Sequence, residues 1–364
     1  MKRKKLTASM IALVMSVSLP MTTYAANWYL EDGSVTVNAD NSGQTVTQGS
    51  GSAVPDEAPV ITQRESSVET GNTITINAAE NATANVTISD VNINTSDAAV
   101  STSGKGNVNI ELDGTNTLKS GVNHAGLEKN SDGNQGKLTI TDENENGKLI
   151  ATGGNGAAGI GGGLYAGGND ITIAGGKVTA TGGDYGAGIG GGFFGNGNDI
   201  TITGGKVTAT GGDFGAGIGG GNQGNGKNIT ITDGEVTAIG GLNGAGIGGG
   251  LRNNGEKITV SGDATLKVQG GPTDTWDGAG AGIGNGGSHN GEFSGSFIPV
   301  NGAETEPDTS NLTTGKIEYY APGADMTKDK PTSTTLGSRQ PEPTSPGETA
   351  APVEYRMQTS ASEP

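Results

Sequence analysis

The sequence predicts an all-β chain folded as a right-handed parallel β-helix, a β-solenoid of about seven coils with roughly 29 residues in each. Three observations carry that expectation. Gly-Ile-Gly-Gly-Gly recurs at 159–163, 188–192, 217–221 and 246–250, with a degenerate copy from Gly282. Its isoleucines, Ile160, Ile189, Ile218, Ile247 and Ile283, are spaced by 29, 29, 29 and 36 residues. Between them run short segments that alternate apolar with polar residues, which is a strand signal, and none carries the stripe of an amphipathic helix.

Each coil holds three such segments. Asp170-Ile171-Thr172-Ile173 recurs as Asp199-Ile200-Thr201-Ile202, Asn228-Ile229-Thr230-Ile231 and Lys257-Ile258-Thr259-Val260. Alternation places the two apolar residues of each copy inside, as a first wall. Lys177-Val178-Thr179-Ala180 recurs as Lys206-Val207-Thr208-Ala209 and Glu235-Val236-Thr237-Ala238, giving a second wall of Val and Ala. The isoleucines of the glycine motif fill the third wall. Looser copies, Ala125-Gly126-Leu127 and Ala98-Ala99-Val100, extend the array toward the N-terminus. Stacking seals each thin coil above and below, so stability accumulates along the rod.

Composition alone would point elsewhere. Of 364 residues 69 are Gly and only 16% are charged, with a formal net charge of −17, a balance typical of chains that cannot bury a core. The repeat supplies the order that composition lacks. The absence of Cys excludes a disulfide framework and a thiolate metal site. The acidic balance argues against nucleic acid and anionic membrane as partners.

The boundaries follow from charge and proline. Residues 1–26 read as a signal peptide: Lys2, Arg3, Lys4 and Lys5, a short apolar run to Leu19, then Thr23-Tyr24-Ala25-Ala26 for cleavage. The run is too short and too broken to span a bilayer, so a secreted, extracellular protein without membrane insertion is expected. Residues 27–58, with Trp28, Tyr29 and Leu30, are expected to cap the first coil, and 59–301 to form the solenoid. The segment 302–364, rich in Pro, Ser, Thr and Glu, is expected to be a disordered, solvated tail.

Among candidate functional residues, Gly-Ala-Gly-Ile-Gly-Gly at 186–191 has dinucleotide-fingerprint spacing but recurs every coil, so it reads as a tight glycine corner. Asp184 and Asp213 share one turn slot with Asn155 and Leu242, while Asp170 and Asp199 share another with Asn228. Such columns are ordinary turn formers, and they are also oxygen donors that could bridge calcium. Tyr165, Phe193 and Phe194 follow successive glycine turns, and Tyr185 and Phe214 share the slot after the Asp column. Rings on the surface of a rod whose core is already filled can stack on sugar faces, or simply shield its flank. The two histidines, His124 and His289, stand outside the regular repeat. Active sites break a repeat, and the regular coils hold no singular acid–base cluster, so no catalytic residue is expected.

The series Val86-Thr87-Ile88-Ser89-Asp90-Val91, Asn109-Ile110-Glu111-Leu112-Asp113-Gly114-Thr115-Asn116-Thr117-Leu118 and Gly-Ala-Gly-Ile-Gly-Gly-Gly resembles the bacterial secreted carbohydrate-binding β-helix family first described in clostridia, the cellulose- and pectin-binding type. The likeness covers roughly residues 70–290. It implies a right-handed parallel β-helix, secretion by a Gram-positive bacterium, non-catalytic binding of plant-type or acidic polysaccharide, and calcium. The expectation is therefore a secreted polysaccharide-binding protein, with calcium as a candidate cofactor and a cell wall or host surface as a candidate site of association. A structural or adhesive rod binding a protein partner, and a polysaccharide lyase or hydrolase, are the alternatives.

Overall fold

A computed structural model describes residues 26–131, 136–290 and 298–338. The expected leader, apart from Ala26, and the tail beyond residue 338 lie outside the described residues.

Alternating apolar residues give each coil three short strands, and the coils stack in parallel into about eight turns rather than seven. The strand register is one-to-one where the sequence repeats. Ile171 and Ile173 pair with Ile200 and Ile202 on the first wall, Val178 and Ala180 with Val207 and Ala209 on the second, and Ile189 with Ile218 on the third. These interior columns are sealed from solvent and form one continuous core along the rod. The outward threonines line up in the same register, Thr201 beside Thr230 and Thr208 beside Thr237.

The third wall is unusually narrow. Its regular strands are two residues long, Ile160–Gly161, Ile189–Gly190, Ile218–Gly219 and Ile247–Gly248. Gly190 has φ of 134°, and a Cβ built there would lie 2.0 Å from the Gly219 carbonyl oxygen of the next coil. Only glycine fits a backbone so turned and so closely approached.

Both ends are finished by antiparallel strands. Residues 27–58 do more than cover the first coil, because they also build it. Asn27–Tyr29 pairs in parallel with Val60–Thr62 on the first wall, and Val35–Asp40 pairs in parallel with Ile74–Ala78 on the third. Gly43–Gln48 then folds back antiparallel along the free edge of Val35–Asp40. Trp28 Nε1 donates to Asp56 Oδ2 (2.8 Å), and the buried Gln44 donates to the Asp56 and Asn85 carbonyls (both 3.0 Å), pinning this cap.

At the other end the expected boundary at 302 is corrected. Lys316–Tyr320 adds a parallel rung to Thr265–Gln269, and Ser333–Leu336 closes that wall antiparallel. A further rung needs little apolar mass: Ile317 continues the Leu266 column, Tyr319 packs against the core in register with Val268, and Tyr320 is buried. Composition averaged over a Pro- and Thr-rich stretch hides a contribution of that size. The sheet edge on the third wall is closed differently, by the Glu304 carboxylate, which accepts from the Gly282 and Ile283 amides at 2.8 and 3.0 Å. Among the described residues no helix is long and apolar enough to cross a membrane.

Candidate ligand-binding ridge

Because the third wall is only two residues wide, the turns on either side of it lie against each other. One turn leaves the second wall (Gly182 to Gly186 in one coil), and the other leaves the third wall (Gly191 to Gly197). Backbone hydrogen bonds join them across coils: Phe193 N–H donates to the Gly156 carbonyl (2.9 Å), Asn222 N–H to that of Tyr185 (2.7 Å) and Leu251 N–H to that of Phe214 (2.8 Å). The paired turns make a ridge running along the rod.

All five aromatic residues singled out in the sequence meet on this ridge. Tyr185 and Phe214 lie one coil apart with centroids at 5.8 Å and planes 11° from parallel. Tyr165 and Phe194 make the equivalent pair on the neighbouring turn, 6.1 Å apart and 20° from parallel. Phe193 links the two columns, 5.2 Å from Tyr185, 5.7 Å from Tyr165 and 4.1 Å from Phe194. Within the columns the separations exceed the roughly 3.5–4 Å of direct carbon contact between superposed rings. The rings are therefore displaced from one another, and part of each column is left uncovered.

Four of these rings sit on left-handed backbone, with φ of 61° at Tyr165, 72° at Tyr185, 59° at Phe194 and 69° at Phe214. The turns themselves demand that conformation, since Gly156, Asn243, Gln223 and Arg252 adopt it in the same slots. A bulky residue there costs about 1–2 kcal/mol, which glycine avoids and asparagine reduces. Strain of this kind concentrates where function holds a side chain in place.

The four aspartates divide between two places. Asp184 and Asp213 are exposed on the ridge, each immediately before a ring. Asn155 Nδ2 donates to Asp184 Oδ2 at 3.0 Å. Asp170 and Asp199 stand at the entrance to the first wall, where Asn228 Nδ2 donates to Asp199 Oδ1 at 3.0 Å. Amide–carboxylate ladders thus take the place of a shared metal cage. Among the described residues no three His, Cys, Asp or Glu side chains gather as a metal ion would require. The donor set does not fit the calcium that the family resemblance implies, and no step below depends on it.

The ridge extends further than the sequence indicated. Four large apolar residues stand exposed along it, Val122 (64%), Tyr165 (68%), Phe194 (49%) and Trp276 (55%), half of all such residues described. Five rungs separate the coil of Val122 from that of Trp276, roughly 24 Å at strand spacing. Trp276 lies in the lengthened 36-residue interval before Ile283. That break in period is the signal in the sequence that marks it.

Polar clusters close both ends of the ridge. At one end His124 Nδ1 lies 3.0 Å from Glu128 Oε2, which also accepts from the Ala125 amide at 3.1 Å, while Asn130 Nδ2 donates to Glu128 Oε1 at 2.9 Å. At the other end Arg252 forks onto Asp277, with Nε to Oδ1 at 3.0 Å and Nη2 to Oδ2 at 2.7 Å. His289 Nδ1 approaches the same carboxylate at 2.8 Å. Asp277 is only 2% exposed. Burial would raise its pKa, but the hydrogen bonds from Arg252 and His289, with their charge, outweigh it and hold the carboxyl below its ordinary value.

The beta helix repeat family matches residues 145–164, 171–193, 200–222 and 229–251, which include Tyr185, Phe193 and Phe214 and stop one residue short of Tyr165 and Phe194. No curated protein and no solved structure matches the chain.

Proposed function

We propose that this parallel β-helix repeat protein is a secreted, non-catalytic binder of extended polysaccharide, and that the ridge is its binding surface. The observation that carries the reading is the convergence of Tyr165, Tyr185, Phe193, Phe194 and Phe214 into one cluster, with Tyr165 and Phe194 largely exposed. Ring faces stack on the apolar faces of pyranoses, and the amide and carboxylate groups beside them match sugar hydroxyls. A rod that repeats its contacts at each coil suits a ligand that repeats its own units. The resemblance to carbohydrate-binding β-helices points the same way. The His–carboxylate pairs at the two ends serve, in this reading, to fix the ridge rather than to transfer protons.

Affinity-gel retardation of the protein on neutral and charged polysaccharides tests this. Retardation in at least one gel is expected, reduced to background in the Tyr165→Ala/Phe194→Ala variant. If no gel retards the protein, the ridge belongs to a structural or protein-binding rod. Release of reducing or unsaturated ends would replace binding by catalysis.

A further inference from the structure

We infer that the polymer recognised on this ridge is cationic, an amino-sugar glycan presenting ammonium groups, rather than an acidic polysaccharide. The inference rests on the glycan reading above and specifies its ligand class. Three observations carry it. First, Asp184 and Asp213 stand exposed on successive coils, each followed directly in the chain by a ring of the cluster, Tyr185 and Phe214. Among the described residues no lysine or arginine pairs with either carboxylate. A carboxylate next to an aromatic face is the pairing that recognises an ammonium group, through an ion pair and the ring quadrupole together.

Second, two buried acceptors beneath the ridge lack partners. Asn222 and Asn243, both more than nine-tenths buried, occupy the slots of Phe193 and Phe214 one coil further on, and the Oδ1 of each has no hydrogen-bond partner. For Asn243 the amide orientation is fixed, because its Nδ2 donates to the Asp277 and Gly278 carbonyls at 2.9 and 2.8 Å. Both oxygens are sealed from solvent, so their unmet acceptor capacity acts as negative potential beneath the ridge, which favours a cationic ligand over a carboxylate. Third, the one guanidinium among the described residues of the ridge, that of Arg252, is already committed to Asp277. With a formal net charge of −17, the whole molecule repels an anionic polymer and attracts a cationic one.

Two oligosaccharides with the same backbone separate charge from sugar: a β-1,4-linked glucosamine oligomer with free, protonated amines, and its fully N-acetylated counterpart. Titrated into the protein at moderate ionic strength, the free amine form is expected to bind roughly three- to tenfold tighter, a ratio that shrinks as salt rises. The ratio should collapse toward one in Asp184→Asn/Asp213→Asn. It should persist in Glu145→Gln/Asp233→Asn, which removes the same charge from exposed turns between the first and second walls. Equal binding of both oligomers overturns the cationic inference and leaves the glycan reading standing. A ratio that falls equally in the two variants also overturns it, since net charge alone would then be at work. If neither sugar binds here and no polysaccharide gel retards the protein, the glycan reading falls as well. Binding of a lysine oligomer in that case would assign the ridge to a basic peptide.

Discussion

Tyr185 and Phe214 hold the same turn position one coil apart, both on left-handed backbone, with ring centroids 5.8 Å apart and planes 11° from parallel. The next residue in that column is Asn243, at φ of 60°. The turn therefore accepts asparagine without rearrangement, and the rings are a substitution onto a scaffold that does not need them.

Replacing the rings by the residue the scaffold uses elsewhere should separate stability from binding. Tyr185→Asn with Phe214→Asn relieves part of a backbone strain of about 1–2 kcal/mol per site and forfeits about 0.5–1.5 kcal/mol of ring pairing. Denaturant unfolding is expected to stay within about 1 kcal/mol of the parent, or to rise, while gel retardation is lost. A large loss of stability would instead make the rings structural shielding for the flank.

Gly190→Ala should be among the most damaging single changes in the rod. It puts a Cβ 2.0 Å from the Gly219 carbonyl oxygen at a φ of 134°. A loss of about 3 kcal/mol or more is expected by chemical denaturation, against less than about 0.5 kcal/mol for the outward Thr208→Ala. Near-equal effects would contradict the packing of the third wall.

Asp277 gives the C-terminal coils a pH dependence with a definite sign. Its folded pKa lies below the ordinary 3.8, so the stability it confers is present above that value and is lost as pH falls through the lowered one. Arg252→Ala strips the bidentate partner from a buried carboxylate and should cost about 2 kcal/mol or more at neutral pH. The gap between parent and variant should close in acid below the folded pKa. A gap that does not change with pH would place the loss in packing rather than charge.

Trp276 offers an optical readout at the far end of the ridge. A bound glycan is expected to change tryptophan emission in the parent and not in Trp276→Phe, where Trp28, tied to Asp56 in the N-terminal cap, remains. A change that survives in Trp276→Phe would move the ligand away from this end.

Chelator should leave gel retardation unchanged, because the carboxylates of Asp184 and Asp199 are met by asparagine amides rather than by further acidic groups. Loss of retardation in chelator, restored by calcium and not by magnesium, would return the aspartate columns to the role of metal ligands.

The three interior walls were legible because period-two alternation and a fixed repeat act at every coil; Ile171, Val178 and Ile160 take the places their spacing requires. The aromatic residues were legible as candidates but not as one cluster. Their convergence depends on the two-residue width of strands such as Ile189–Gly190, which draws the flanking turns together and is set by glycine conformation rather than by any hydrophobic pattern. The pairing of Asp184 with Asn155 was hidden for a related reason. Column partners could be listed from the sequence, but the side chains that satisfy one another could not. Lys316–Tyr320 was lost among prolines and threonines because its two buried residues, Ile317 and Tyr320, are too few to lift the composition of the stretch.

The one-to-one register between successive coils also bears on how such a gene changes. Ile189 and Ile218 have the same neighbours above and below, so excising the 29 residues from Gly190 through Ile218 would join Ile189 to Gly219 and leave every ladder in phase. Were the coding segments as alike as the coils they specify, unequal recombination between them would add or remove whole rungs while the two caps stayed in place. The length of the ridge is then an inherited count, and the molecule a ruler whose graduations can be gained or lost without redesigning its ends.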